Sequence, residues 1–146
     1  MTRPRVLLWE SEPRLRLRVV AELRDVVEVL VVDDPQASAV REARRLRPGG
    51  VLLAMGRGRL APALQVCRSI KTDQGRPPWV GLTDRWSRLR DPGQALLGCD
   101  ADGYLGGTPG PGGHAAFVRA LLLGARPVHL HPPEPGLLGR LLGRGR

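Results

Sequence analysis

The chain has 146 residues, 23 basic against 14 acidic, and a formal net charge of +9. That length supports one compact domain. A hydrophobic content of 42% with 25% charged residues excludes a disordered chain, and no apolar run approaches the ~18 residues of a membrane span. Lys71 is the sole lysine among the basic residues; the rest are arginine, a skew that fits GC-rich codon usage better than selection for phosphate contacts. The N-terminus has only residues 6–9 as an apolar stretch and lacks the core of a signal peptide. Cys67 and Cys99 have neither metal nor redox spacing and are expected as buried thiols in a reducing cytoplasm.

In chain order, Arg5-Val-Leu-Leu-Trp9 is a short apolar run that predicts a buried strand. Ser11 is placed to cap a helix whose first turn holds Pro13. Leu15, Val19, Val20 and Leu23 recur there at helical spacing. Residues 26–32 are β-branched and strand-like, and Asp33-Asp34-Pro35 stops them. Ala39, Val40, Ala43 and Leu46 mark a second helix ended by Pro48-Gly49-Gly50. Residues 51–55 predict a third strand, and Leu60, Leu64, Cys67 and Ile70 a third helix. Residues 79–82 predict a fourth strand, 89–97 a fourth helix and 103–105 a short fifth strand. Phe117, Val118, Leu121 and Leu122 give the apolar face of a last helix.

Glycine and proline make up seven of the eight residues in 106–113, a loop. They also make up nine of the 23 in 124–146, a tail. The domain is therefore expected over 1–124, with a flexible basic tail over 125–146 whose first part, Val128-His-Leu-His-Pro-Pro-Glu-Pro135, is extended and linker-like. His129 and His131 in that stretch make a poor metal site. The later Gly136-Leu-Leu-Gly-Arg-Leu-Leu-Gly-Arg-Gly-Arg146 is apolar and basic, suited to folding on a partner or an acidic surface. Strand–helix alternation repeated five times implies an α/β fold, a doubly wound (βα)5 parallel sheet of five strands with helices on both faces. Sites in such folds lie at the carboxyl ends of the strands.

Three stretches carry a family resemblance: Leu64-Gln-Val-Cys-Arg-Ser-Ile-Lys71, Pro78-Trp-Val-Gly-Leu-Thr83 and Asp100-Ala-Asp-Gly-Tyr-Leu105. With the opening Arg5-Val-Leu-Leu-Trp-Glu-Ser-Glu-Pro13, they resemble a response-regulator receiver domain of the CheY-like, flavodoxin-like type, over roughly residues 4–123. The resemblance implies an acidic pair after the first strand that holds Mg²⁺, a hard cation wanting several oxygens. It implies an aspartate phosphoryl acceptor ending the third strand, a hydroxyl after the fourth, and a lysine after the fifth that stabilises the transferring phosphoryl group.

Position by position, the acidic pair becomes Glu10 and Ser11, and the acceptor becomes Ala54, which has no nucleophile. The hydroxyl survives as Thr83. The lysine position falls on Gly107, and the family's switch aromatic is Tyr104. Asp33 and Asp34 imitate the family's acidic pair, but only 20 residues separate Asp34 from Ala54, against 44 from Glu10. A single βαβ unit takes roughly 30 residues, so Glu10 is the match and Asp33 and Asp34 cap the next helix.

The resemblance thus implies a pseudo-receiver with no catalytic residue and no cofactor. It would be a protein–protein interaction module in bacterial two-component-type signalling, cytoplasmic, with another signalling protein as partner and a homodimer as a further form. Its working face would be the fourth helix, fifth strand and fifth helix, with Trp86 and Tyr104 as anchors; packing roles for both stay open. Glu10 is expected as a hydrogen-bond acceptor rather than a cation ligand, and Thr83 as a ligand contact or a helix cap. Two alternatives stand beside this. One is a nucleic-acid-binding regulator using the +9 charge, although no helix-turn-helix or stacking platform is evident. The other is a small-molecule sensor using the vacated pocket with Arg57 and Arg59.

Overall fold

The computed structural model describes residues 3–32, 36–55, 60–72 and 75–133. Asp33, Asp34, the Gly56–Arg59 loop with Arg57 and Arg59, and residues 134–146 lie outside the described residues. The elements run β1 (Arg5–Trp9), α1 (Pro13–Leu23), β2 (Glu28–Val32), α2 (Gln36–Leu46), β3 (Gly50–Ala54), α3 (Leu60–Lys71), β4 (Trp79–Asp84), α4 (Pro92–Cys99), β5 (Gly103–Gly106), α5 (Gly113–Leu122) and β6 (Val128–Leu130). All strand pairs are parallel and the sheet order is β2-β1-β3-β4-β5-β6. This is the expected doubly wound α/β sheet, extended by a sixth strand.

Strand side chains alternate between two cores. Leu7, Trp9, Val51, Leu53, Val80, Leu82 and Tyr104 point toward α2, α3 and α4, meeting Ala39, Ala43, Val66, Cys67, Ile70 and Leu96. Val6, Leu8, Leu52 and Leu105 point the other way, under Val19 and Leu23 of α1 and Phe117, Val118 and Leu121 of α5. Gly81 and Gly103 make room for α5: a Cβ at Gly81 would sit 2.9 Å from Phe117, and one at Gly103 3.1 Å from the same ring. Cys67 and Cys99 are free and buried as expected, with the Cys67 thiol donating to the Cys99 carbonyl at 3.4 Å.

Three expectations shift. The cap of α1 is Glu12, not Ser11. Pro13 occupies the first helical position, so the residue before it takes the cap, and the Glu12 carboxylate accepts from Arg14 N (3.2 Å) and Leu15 N (2.6 Å). The fourth helix starts at Pro92 rather than Leu89. Asp91 caps it, accepting from Gln94 N at 3.3 Å, and a residue preceding proline is steered out of the helical region.

The third shift concerns the stretch expected as linker-like tail, of which residues 128–130 form β6, locked on β5 by Tyr104 N donating to Pro127 O (2.9 Å) and His131 N to Gly106 O (2.8 Å). Because α5 packs on the α1 face while β6 extends the sheet outward past β5, this crossover is left-handed, a rare hand for a parallel connection. Among the described residues, no helix is long and apolar enough to cross a membrane.

Candidate functional site

The carboxyl ends of β1, β3, β4 and β5 surround one cleft of about 900 Å³. Its lining includes Glu10, Ser11, Ala54, Thr83 and Gly107, so the fold brings together all five positions expected to form the pocket. Ala54 and Thr83 are register partners on β3 and β4. Trp86 also lines the cleft; Tyr104 does not.

Glu10 follows β1 and is buried, accepting from Glu12 N at 3.0 Å. Burial pushes its carboxyl above the ordinary value, while the Glu12 amide and the Arg85 guanidinium pull the other way. A carboxyl whose pKa is raised by folding stabilises the fold below its unfolded value of 4.5 and loses that contribution as pH rises through the higher folded value. Glu10→Gln keeps an acceptor for the Glu12 amide and removes the ionisation. We expect the variant to gain stability relative to the wild type as pH rises from about 4.5 toward neutral. Urea midpoints across that range check this, and parallel profiles would show that Glu10 ionises in the fold without cost.

The dominant polar feature is a residue that pattern reading passed over. Asp84 ends β4 and is 1% exposed. Its carboxylate accepts from Arg88 N (2.7 Å), Tyr104 OH (3.1 Å), Trp86 N (3.2 Å) and Arg88 Nε (3.4 Å). Its carbonyl takes Gly107 N (2.8 Å) and Ser87 N (3.0 Å). Arg88 also donates to Met55 O at 2.9 Å, tying the ends of β3 and β4 together.

For Tyr104 both an anchor and a packing role were open, and the structure shows packing: it is 0% exposed, its ring in the core on the α4 side and its hydroxyl on Asp84. Burial, then the Asp84 carboxylate, pushes that hydroxyl up to about 12. Trp86 is half-buried at the cleft, with the Arg85 guanidinium 4.4 Å and the Arg88 guanidinium 5.3 Å from its ring centre. Arg85 also lies 4.0 Å from Glu12. On the opposite wall, His114 Nδ1 lies 3.3 Å from Glu22 Oε2, and burial lowers the imidazole's affinity for a proton.

Gly107 has φ of +85°, and a Cβ there would lie 2.0 Å from His131 O and 2.7 Å from Pro132 O. Thr108 N donates to Pro132 O at 2.9 Å. The main chain after β6 thus occupies the space a side chain at position 107 would enter, and Pro132 and Pro133 wall the cleft. Lys71, the sole lysine, sits at the amino ends of the strands, 2.8 Å from Asp102 Oδ2 and 3.2 Å from Pro78 O. It cannot stand in for the missing one.

The resemblance to receiver domains implies Mg²⁺ at this cleft, and the donor set does not fit it. Glu10 is one carboxylate, Ala54 offers no side-chain oxygen, and both Asp84 oxygens already hold protein donors. Among the described residues, no three His, Cys, Asp or Glu side chains group to hold a metal ion.

No protein-family model and no curated protein matches the chain. Solved structures do. The signal receiver domain of the NarL response regulator of Mycobacterium tuberculosis aligns with a TM-score of 0.67 at 22% identity, over 84% of this chain and 95% of that one. The chemotaxis response regulator CheY4 of Vibrio cholerae aligns at 0.70 and 16%, over 82% and 99%. The isolated receiver domain of RcsB from Salmonella enterica serovar Typhimurium, with the phosphomimetic BeF3⁻, aligns at 0.70 and 13%, over 87% and 94%. A parallel sheet ordered 2-1-3-4-5, helices split two and three across its faces, and a cleft at the strand carboxyl ends therefore identify this chain's fold as that of response-regulator receiver domains.

Proposed function

We propose that the domain is a pseudo-receiver, a non-catalytic protein–protein interaction module of two-component-type signalling in the bacterial cytoplasm that works without phosphorylation. One observation carries this reading. The acceptor position is Ala54, and the lysine position is a glycine whose side-chain space is filled by the main chain of His131 and Pro132. Phosphoryl transfer needs a nucleophile and a cation at these two places. The buried Asp84–Tyr104 hydrogen bond supports the same reading, because it holds the fifth-strand aromatic inside without a phosphoryl signal. The partner, another signalling protein, would meet the face made by α4, β5 and α5, with Trp86 at its margin.

Incubation with acetyl phosphate and Mg²⁺, followed by intact-mass measurement, tests the proposal. The expected spectrum shows unmodified protein; a stoichiometric phosphoryl adduct overturns the reading. The cleft of about 900 Å³ favours a second reading, a small-molecule sensor, since ligand pockets commonly span roughly 300–1,000 Å³. A thermal-shift screen of nucleotides and metabolites tests it, and a uniformly flat screen removes it.

A further inference from the structure

The sixth strand leaves an edge of defined pattern. Pro127 O and His131 N bond to β5, so the parallel ladder alternates inward at 127, 129 and 131. The N–H and C=O groups of Val128 and Leu130 therefore point away from β5. Among the described residues, β6 is the last strand on that side of the sheet.

The side chains follow the same alternation. His129 pairs in register with Leu105 and packs edge-on against Phe117, with ring centres 5.7 Å apart, on the α5 face. Val128 and Leu130 pair with Tyr104 and Gly106 and fall on the α4 face. That face carries α2, α3 and α4 over six strands, and among the described residues β6 is left uncovered: Val128 is 43% exposed and Leu130 61%. Leu97 on α4 is 72% exposed. Neither α4 nor β6 contains a charged residue, in a chain where charged residues make up 25%.

We propose that β6 is a self-association edge, on which a second copy of this chain adds its own β6 in antiparallel orientation about a two-fold axis through His129. The register follows from which groups point outward. Val128 of one copy faces Leu130 of the other, and each pair exchanges two main-chain hydrogen bonds, the hydrogen-bonded pairing of an antiparallel ladder. The two Val–Leu pairs then meet side by side on the α4 face, as cross-strand apolar pairs do.

Charge selects the occupant. The Val128–Leu130 strip meets a second copy of itself without desolvating an ion, Arg126 beside it being held on Ala101 O, whereas a charged partner segment would have to bury charge against aliphatic side chains. The sheet's other edge, β2, begins with exposed Glu28. Pairing β6 with that edge would be head-to-tail and open-ended, while β6 with β6 closes as a dimer.

The proposal is independent of phosphorylation, so the acetyl phosphate experiment and this one fail separately. The full chain is run by size-exclusion chromatography with light scattering over a dilution series. The wild type is expected to approach twice its 15.9 kDa mass at high concentration and to dissociate on dilution. Leu130→Pro removes only an outward N–H, which an edge strand tolerates, and Leu130→Glu places a charge in the apolar pair. Both are expected to stay at monomer mass, with wild-type circular dichroism. A wild type that is monomeric throughout overturns the proposal. So does a dimer that survives both substitutions. If one variant fails to fold, the other decides.

Discussion

Asp84→Ala should lower stability by about 3–5 kcal/mol, the range for removing one partner of a buried charged pair, read as a fall in the urea midpoint at unchanged slope. The argument is a count of what the substitution strands. The Asp84 side chain is fully buried and satisfies the Tyr104 hydroxyl, two backbone amides and the Arg88 guanidinium. Alanine supplies no acceptor, so the Tyr104 hydroxyl and the two amides lose their partner at the cleft wall that Asp84 lines. Arg88 retains its bond to Met55 O and loses the carboxylate beside it.

Asp84→Asn keeps an oxygen of the same shape and gives up the ion pair, so it should cost less, about 1–3 kcal/mol. Tyr104→Phe removes a single donor and leaves three on the carboxylate, so it should cost about 1 kcal/mol. The double variant Asp84→Ala/Tyr104→Phe should be less damaging than the sum of its parts, because the stranded hydroxyl disappears with its partner. Strict additivity would mean that the Tyr104–Asp84 hydrogen bond contributes nothing to the coupling of β4 and β5.

The position of Asp84 also explains what a sequence can and cannot show here. The strand–helix rhythm was legible because β1 and β3 are apolar runs buried on both faces, and the helices repeat their apolar positions at helical spacing. Glu10, Ala54, Thr83 and Gly107 were legible as site positions because parallel strands place their carboxyl ends side by side whatever the side chains are. Asp84 was not, because the apolar run stops at Leu82, and a lone acid after Thr83 looks the same whether it is solvated or buried. Its burial depends on Tyr104 and Arg88, which are local to it only in space.

The same holds for Tyr104, whose aromatic ring suits a surface anchor until Asp84 supplies an inward partner for the hydroxyl. β6 was hidden for another reason. The four residues between Pro127 and Pro132 are too few for their alternation to mark a strand, and the main-chain partners of β6 come from the edge of β5. Ser11 was displaced as cap by one residue because the position of Pro13 outranked the hydroxyl preference.

Restoring a lysine to the fifth strand should damage the fold rather than revive phosphoryl chemistry. Gly107→Lys is expected to lose about 2–4 kcal/mol, from an L-residue forced into the left-handed region and from overpacking. The obstruction begins at the Cβ, which would meet His131 O at 2.0 Å and His131 C at 2.5 Å; these are main-chain atoms that no rotamer change can move. Gly107→Ala should therefore lose nearly as much as Gly107→Lys, whereas Thr108→Lys, at an exposed neighbouring position, should be close to neutral.

The relief available to the Gly107 variants is for the segment after β6 to lift away. That breaks the His131 N to Gly106 O and Thr108 N to Pro132 O bonds and opens the cleft wall at Pro132 and Pro133. Hydrogen exchange should show faster labelling at the His131 and Thr108 amides, with α1 and β1 unchanged. Ala54→Asp/Gly107→Lys, carrying both missing groups, should still form no acyl phosphate with acetyl phosphate and Mg²⁺, because Ser11 leaves the metal short of a carboxylate and the lysine enters only by displacing the strand. An adduct on the double variant would show instead that two substitutions separate this cleft from a working receiver, and that the segment after β6 yields to a side chain at position 107.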